Sequence, residues 1–190
     1  MSSIETKNTL RLAMQAQRSA LQPEVRLRAA EDAAQLALAL LENTRDVVAL
    51  YWPVRNELSP LILAEHLHQR HIALCLPVII EPDTPLQFRA WEPGDALHKG
   101  RYGIDEPSQK SAFVTPSILL LPLVAFDPSG TRLGTGGGYY DRTLKQLRAK
   151  DPFVQAVGFG YAFQQAEHLP FEPHDEKLDA VITEKGTATF

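Results

Sequence analysis

The chain has a single cysteine among its 190 residues, so no internal disulfide can staple the fold and a reducing compartment is expected. Cys75 sits in Ala73-Leu74-Cys75-Leu76 and reads as a buried strand residue rather than a nucleophile. Long apolar runs are also lacking. The longest, 36–41 and 117–124, fall far short of the roughly 18 residues that span a bilayer, so no membrane partner is expected. Residues 1–11 are polar and without the apolar core of a signal peptide, which gives a cytoplasmic expectation. There is no excess of positive charge either. Nineteen Lys and Arg stand against 23 Asp and Glu, a formal charge of −4, which argues against nucleic acid as a partner. No internal repeat, low-complexity tract or linker divides the chain. Its length suits one compact domain over 1–190, and 44% hydrophobic residues can supply the core.

What the chain does have is an unusual loop. Gly134-Thr135-Gly136-Gly137-Gly138 places four glycines in five residues, directly before a segment, 139–150, that reads as helix. Glycine admits positive φ and lets a ligand approach the backbone closely. The first turn of a helix adds unpaired N–H groups and the positive end of the dipole. The combination points to an anion cradle, most often for phosphate. Arg132 just before the loop and Asp141 three residues beyond it suggest a nucleotide phosphate chain with Mg²⁺. Neither familiar phosphate motif is present. Gly138 is followed by Tyr139-Tyr140 instead of Lys-Ser/Thr, and position 139, where a dinucleotide fingerprint needs its third glycine, is tyrosine.

The fold class is α/β: an open, largely parallel sheet flanked by helices, with irregular short strands around a cleft. A first helix is expected over 7–21, with Leu10, Ala13 and Met14 on one face and Lys7, Arg11 and Arg18 on another. Spacing alone favours a solvated basic face for those cations. A second helix begins near Pro23 with Val25, Ala29, Ala33, Leu36 and Leu40 as its stripe. A buried strand over 47–51, a helix from Pro60 through Arg70 and a strand over 71–76, stopped by Pro77, alternate as in a right-handed α/β crossover. Residues 77–116 read as irregular, with one short strand at 86–91, and as a wall of the cleft. Further strands are expected over 118–121, 154–159 and 180–183.

In such a sheet ligands bind beyond the carboxyl ends of the strands. Glu57, in Pro53-Val54-Arg55-Asn56-Glu57, and Asp127 both follow strands there. Asp127-Pro128-Ser129-Gly130 is equally an ideal turn, so a structural role for Asp127 stands level with a functional one. Asp141 could instead complement the helix dipole and pair with Lys145. The tyrosines at 139 and 140, Trp91 and Phe88 could be core aromatics. His66 and His68 lie on different faces of one helix and do not make a metal pair.

The run from Leu121 to Arg142, Leu-Pro-Leu-Val-Ala-Phe-Asp-Pro-Ser-Gly-Thr-Arg-Leu-Gly-Thr-Gly-Gly-Gly-Tyr-Tyr-Asp-Arg, closely resembles the signature of the 5-formyltetrahydrofolate cyclo-ligase family. Lys7-x-x-Leu10-Arg11 resembles the family's N-terminal basic pair and Pro53 through Glu57 its glutamate turn. Tyr102-Gly103-Ile104-Asp105-Glu106-Pro107 is similar to its Gly-Ile-x-Glu-Pro element, and Asp179 through Glu184 to its closing strand. The resemblance implies conversion of 5-formyltetrahydrofolate and MgATP to 5,10-methenyltetrahydrofolate, ADP and phosphate, through phosphorylation of the formyl oxygen and without a protein nucleophile. It implies that Lys7, Arg11, Arg132 and the backbone from Gly134 through Thr135, Gly136 and Gly137 to Gly138 hold ATP phosphates, that Asp141 holds Mg²⁺, and that Glu57 accepts hydrogen bonds from the pterin. It makes Trp91, Tyr139 and Tyr140 aromatic walls for folate or adenine. Small-molecule partners, reduced folate and ATP, are therefore expected, with the chain a monomer or small homo-oligomer. Two positions depart from the pattern. Gly137 stands where some members carry Lys, so the phosphate clamp leans on Lys7, Arg11 and Arg132. Leu123 stands where a glycine is common, which reshapes the nearby pocket. Two further readings remain beside this one: a nucleotide-binding relative activating a different formyl or carboxylate substrate, and a non-catalytic folate- or nucleotide-binding protein.

Overall fold

The computed structural model describes residues 3–41 and 44–190. Helices α1 (Ser3–Ala20) and α2 (Pro23–Leu41) precede a central sheet assembled from β1 (Val48–Ala49), β2 (Leu74–Val78), β3 (Gln87–Ala90), β6 (Phe113–Val114), β7 (Ile118–Pro122), β10 (Gln155–Phe159), β11 (Ala180–Thr183) and β12 (Gly186–Thr189). Helices α3 (Leu61–His68) and α4 (Tyr139–Arg148) cross between parallel strands. Two small ribbons, β4 (Leu97–Lys99) with β5 (Asp105–Pro107) and β8 (Ala125–Phe126) with β9 (Arg132–Leu133), complete the molecule. The sheet order is β12-β11-β10-β7-β1-β2-β3-β6. Strands β11, β10, β7, β1 and β2 run parallel, while β3 and β12 run antiparallel to their neighbours. The expected α/β class and largely parallel sheet are therefore what the chain adopts.

Residue parity assigns each side of the sheet. Val48, Leu74, Leu76, Ile118, Leu120, Val157 and Phe159 share one core with α2 and α3, while Ala49, Cys75, Leu119, Leu121 and Ala156 pack beneath Leu144 of α4. The period-two alternation of a strand lets near-continuous apolar runs fill two faces at once. The burial of Cys75 on the α4 face pushes its thiol well above the ordinary cysteine value.

Three expectations need correction. The buried face of α2 is Ala29, Ala30, Ala33, Ala34, Ala37, Leu38 and Leu41, with Val25 and Leu40 exposed. The helix lies close to α3 and the sheet, and the alanines permit that approach where the larger residues do not. Strand β2 runs through Pro77. The carbonyls of Ala73 and Cys75 accept from Val48 and Leu50, so odd-numbered residues aim their backbone at β1. Pro77 continues that series past the end of β1, where a missing N–H costs no ladder bond. The basic face of α1 turns inward: the Lys7 and Arg18 side chains are only 12% and 3% exposed.

Candidate active site

From β1 the chain moves through α3 to β2 on one side. It then returns as β7 to the other side of β1 and proceeds through α4 to β10 and β11. The direction of winding thus reverses between β1 and β7, and a crevice opens beyond the carboxyl ends of strands at such a point. A cavity of about 720 Å³ occupies it, lined by residues that follow β1 (Tyr51, Trp52, Val54, Arg55, Glu57), β2 (Ile79) and β7 (Leu123, Val124). The glycine loop and the start of α4 form a second side. Lys7 and Arg11 of α1, with the segment Glu172–Asp175, form a third.

The loop owes its shape to glycine at two places. Gly136 has φ +106° and Gly138, which caps α4, has φ +64°, both in the region that L side chains avoid. The first backbone bond of α4 runs from the Arg142 N–H to the Gly138 carbonyl, so the preceding amides have no partner within the helix. Arg11 Nε donates to the Gly134 carbonyl at 2.9 Å, and a Cβ on Gly136 would lie 3.6 Å from the Arg11 guanidinium. Arg142 Nη2 donates to the Gly137 carbonyl at 2.8 Å, and its guanidinium lies over the Tyr139 ring. The Tyr139 hydroxyl meets that of Tyr102 at 3.1 Å across the mouth of the cavity.

Asp141 pairs with Arg132, and not with Lys145: Oδ1 accepts from Arg132 Nη2 at 2.6 Å and from the Glu176 N–H at 3.0 Å. Arg132 also donates to the Glu176 carbonyl. Burial disfavours the charged guanidinium of Arg132 and lowers its pKa, with Asp141 opposing. Lys7 Nζ lies 3.0 Å from Glu172 Oε1 and 3.4 Å from Asp175 Oδ2. Glu172, His174 and Asp175 are among the site residues that sequence reasoning missed. Their one signal is an acidic stretch between Pro170 and Glu176, which reads as a solvated loop until the fold lays it against Lys7.

Glu57 is drawn into the far wall by two consecutive left-handed residues, Arg55 (φ 49°) and Asn56 (φ 58°). Its Oε2 accepts from the Val54 N–H at 3.1 Å, and its Oε1 lies 3.7 Å from Arg18 Nη1. Burial pushes its pKa up, with the Val54 amide and the Arg18 and Arg55 charges pulling the other way. Tyr140 lines the same space. Burial and the Glu57 carboxylate push its hydroxyl pKa upward.

Trp91, expected at the site, and Asp127, whose structural and functional readings stand level, both lie off the cavity wall. The backbone N–H of Trp91 donates to the Leu74 carbonyl at the N-terminal end of β2, and its ring is buried in the core, edge to face with Trp52 at 6.3 Å. Trp52, just beyond β1, is the indole on the cavity wall. Asp127 is a turn clamp: its carboxylate accepts from the Ser129 N–H and hydroxyl, the Thr131 N–H and the Leu169 N–H.

The cavity thus joins a cation-and-amide cradle to a buried carboxylate flanked by aromatic rings. Such a cradle fits a chain of phosphates. Among the described residues no three His, Cys, Asp or Glu side chains gather as a protein-only metal cage. Asp141, with Oδ1 engaged by Arg132 and the Glu176 N–H, is a hard carboxylate of the kind that suits a divalent cation.

Comparison with known proteins finds matches in family, in sequence and in fold. The family model described as the 5-formyltetrahydrofolate cyclo-ligase family matches residues 3–184. A 5-formyltetrahydrofolate cyclo-ligase of Haemophilus influenzae is 37% identical over 161 residues, 81% of this chain and 84% of that protein. The NMR structure of Aquifex aeolicus 5,10-methenyltetrahydrofolate synthetase superimposes with a TM-score of 0.81 at 32% identity, covering 96% of this chain and 92% of the other. A 5,10-methenyltetrahydrofolate synthetase from Mycoplasma pneumoniae does so at 0.73 and 28% identity, covering 94% and 98%.

Proposed function

We propose that this chain, which belongs to the 5-formyltetrahydrofolate cyclo-ligase family, converts 5-formyltetrahydrofolate and ATP to 5,10-methenyltetrahydrofolate, ADP and phosphate. The observation that carries the reading is one cavity lined by both the glycine-loop cradle and the buried Glu57. Residues 1–190 act in this reading as one cytoplasmic domain.

The formyl oxygen bonds to the γ-phosphorus as the bond to the bridging oxygen breaks and ADP departs. N10 then bonds to the formyl carbon and gives up its proton, the carbon–oxygen bond breaks, and phosphate leaves. Every bond made lies between the two substrates or within the folate, so the protein's task is to orient them and stabilise phosphoryl charge. Lys7, Arg11 and the backbone of the loop from Gly134 to Gly138 take the triphosphate. Binding would release Lys7 from Glu172 and Asp175, because phosphate oxygens compete for the same ammonium. Arg132 orients Asp141, and Mg²⁺ held there with the phosphates would neutralise charge as it shifts to the leaving oxygen. Glu57 accepts ring N–H groups of the pterin, with Tyr140 and Trp52 as walls. Their partial exclusion of water strengthens each of these contacts.

The test is to mix protein, MgATP and 5-formyltetrahydrofolate and follow the methenyl chromophore with and without ATP. ATP-dependent appearance supports the reading. No product, with ATP still bound in calorimetry, would point to a different formyl or carboxylate substrate.

A further inference from the structure

We propose that Arg18 is a positioning residue for Glu57: buried behind the carboxylate, it keeps Glu57 ionised and aimed into the cavity, and so sets affinity for the folate ring without touching it. The proposal rests on the folate reading of the Glu57 wall. Helix α1 carries Lys7, Arg11 and Arg18 on one face, but the three do not serve one place. Lys7 and Arg11 line the cavity, whereas Arg18 is not part of its wall. Its Nη1 lies 3.7 Å from Glu57 Oε1 and 3.4 Å from the Leu123 carbonyl. Its Nε is buried with no hydrogen-bond partner among the described residues.

That stranded N–H is informative. Replacing a buried ion pair as a whole by apolar residues of similar volume is often neutral or stabilising, whereas removing one partner leaves the other charge uncompensated. The guanidinium is therefore a poor choice for packing alone and a good one for controlling its neighbour. Glu57 Oε2 is anchored by the Val54 N–H, but among the described residues Oε1 has only the long approach of Arg18, which leaves it free to accept from a ligand. A carboxylate this buried takes up a proton unless a nearby cation opposes it. A protonated Glu57 would present a hydroxyl where the ring N–H needs an acceptor. The other groups facing Glu57 are Arg55 on its own turn, Tyr51 after β1, Tyr140 on α4 and Tyr161 after β10. Arg26 of α2 shares a second, smaller cavity with it. Among the described residues Arg18 is the cation within 4.0 Å.

The test compares wild type, Arg18→Met, Arg18→Lys, Glu57→Gln and the Arg18→Met/Glu57→Gln pair, measuring kcat, both KM values and the pH profile. Arg18→Met should raise KM for 5-formyltetrahydrofolate about tenfold, leave KM for ATP within about twofold, and move the acid limb of kcat/KM for folate up by about one pH unit. Arg18→Lys should recover most of the loss, since it restores the charge. In the Glu57→Gln background Arg18→Met should change the folate KM by less than about twofold, because the two act as one unit. The paired variant removes both charges, so it carries the test if Arg18→Met alone does not fold. Equal rises in both KM values, an unmoved acid limb, or additive effects in the paired variant would overturn the proposal. A wild type that forms no methenyl product would overturn the functional reading and this proposal with it, so the two failures are distinguishable.

Discussion

Replacing Asp127 by asparagine separates a structural carboxylate from a catalytic one. Asp127 is 1% exposed, and its carboxylate takes four hydrogen bonds, three of them on Oδ1 from Ser129 and Thr131 and one on Oδ2 from the Leu169 N–H at 2.9 Å. The best orientation of an asparagine keeps its oxygen at the Oδ1 place and turns its NH₂ toward the Leu169 N–H, donor against donor. That loses one charge-assisted bond, worth about 1.5–3 kcal/mol, and weakens three others, giving a loss of about 2–4 kcal/mol. For a chain of this size the melting temperature should fall by about 5–15 °C. Urea unfolding followed by tryptophan fluorescence should show a lower midpoint with an unchanged slope. Turnover well below the melting point should stay near wild type, since Asp127 is not part of the cavity wall. Burial pushes the Asp127 pKa up, but the hydrogen bonds from Ser129, Leu169 and Thr131 outweigh it and hold the folded value below the usual carboxylate range. A depressed carboxylate contributes stability above its unfolded pKa and loses it as pH falls through the folded value, so the gap to wild type should close below about pH 4. A variant within about 1 kcal/mol of wild type but about a hundredfold slower would refute the structural assignment.

Other substitutions probe the site and its support. Asp141→Asn should cut turnover by about a hundredfold or more by single-turnover kinetics. It should also lower stability by about 1–3 kcal/mol, because Arg132 loses its charged partner. An unchanged rate would remove Asp141 from the metal role. Gly136→Ala, at φ +106°, should cost about 1–3 kcal/mol of strain or shift the loop, and raise KM for ATP more than KM for folate. Gly158→Ala places a Cβ 2.9 Å from Cδ1 of both Leu123 and Leu178, so it should destabilise by about 1–2 kcal/mol in thermal melts. Adding Leu123→Ala should recover part of that loss, and simple additivity would contradict the packing argument.

Much of this protein is legible residue by residue, because the decisive interactions are local. Runs such as Leu119-Leu120-Leu121 are buried on both faces by their own alternation, which reads as an inner parallel strand. The glycine loop before a helix announces its cradle because positive φ and unpaired first-turn amides are backbone properties. Strands β4 and β5, the β8–β9 ribbon and β12 were less legible, since short antiparallel pairings depend on neighbours as much as on their own residues.

Sequence alone thus determined the α/β class, the parallel core and the position of the glycine loop, all set by periodicity and backbone chemistry. Only the tertiary structure decided which polar groups meet. It turned the basic face of α1 inward, gave Lys7 to Glu172 and Asp175, and set Arg18 behind Glu57. It paired Asp141 with Arg132, made Asp127 a turn clamp, and moved the cavity's indole from Trp91 to Trp52. The physical reason is separation along the chain. Lys7 and Glu172 lie 165 residues apart, and no local rule governs how a helix face rotates against a segment that distant. That rotation is set by packing of the whole core, which only the folded chain supplies.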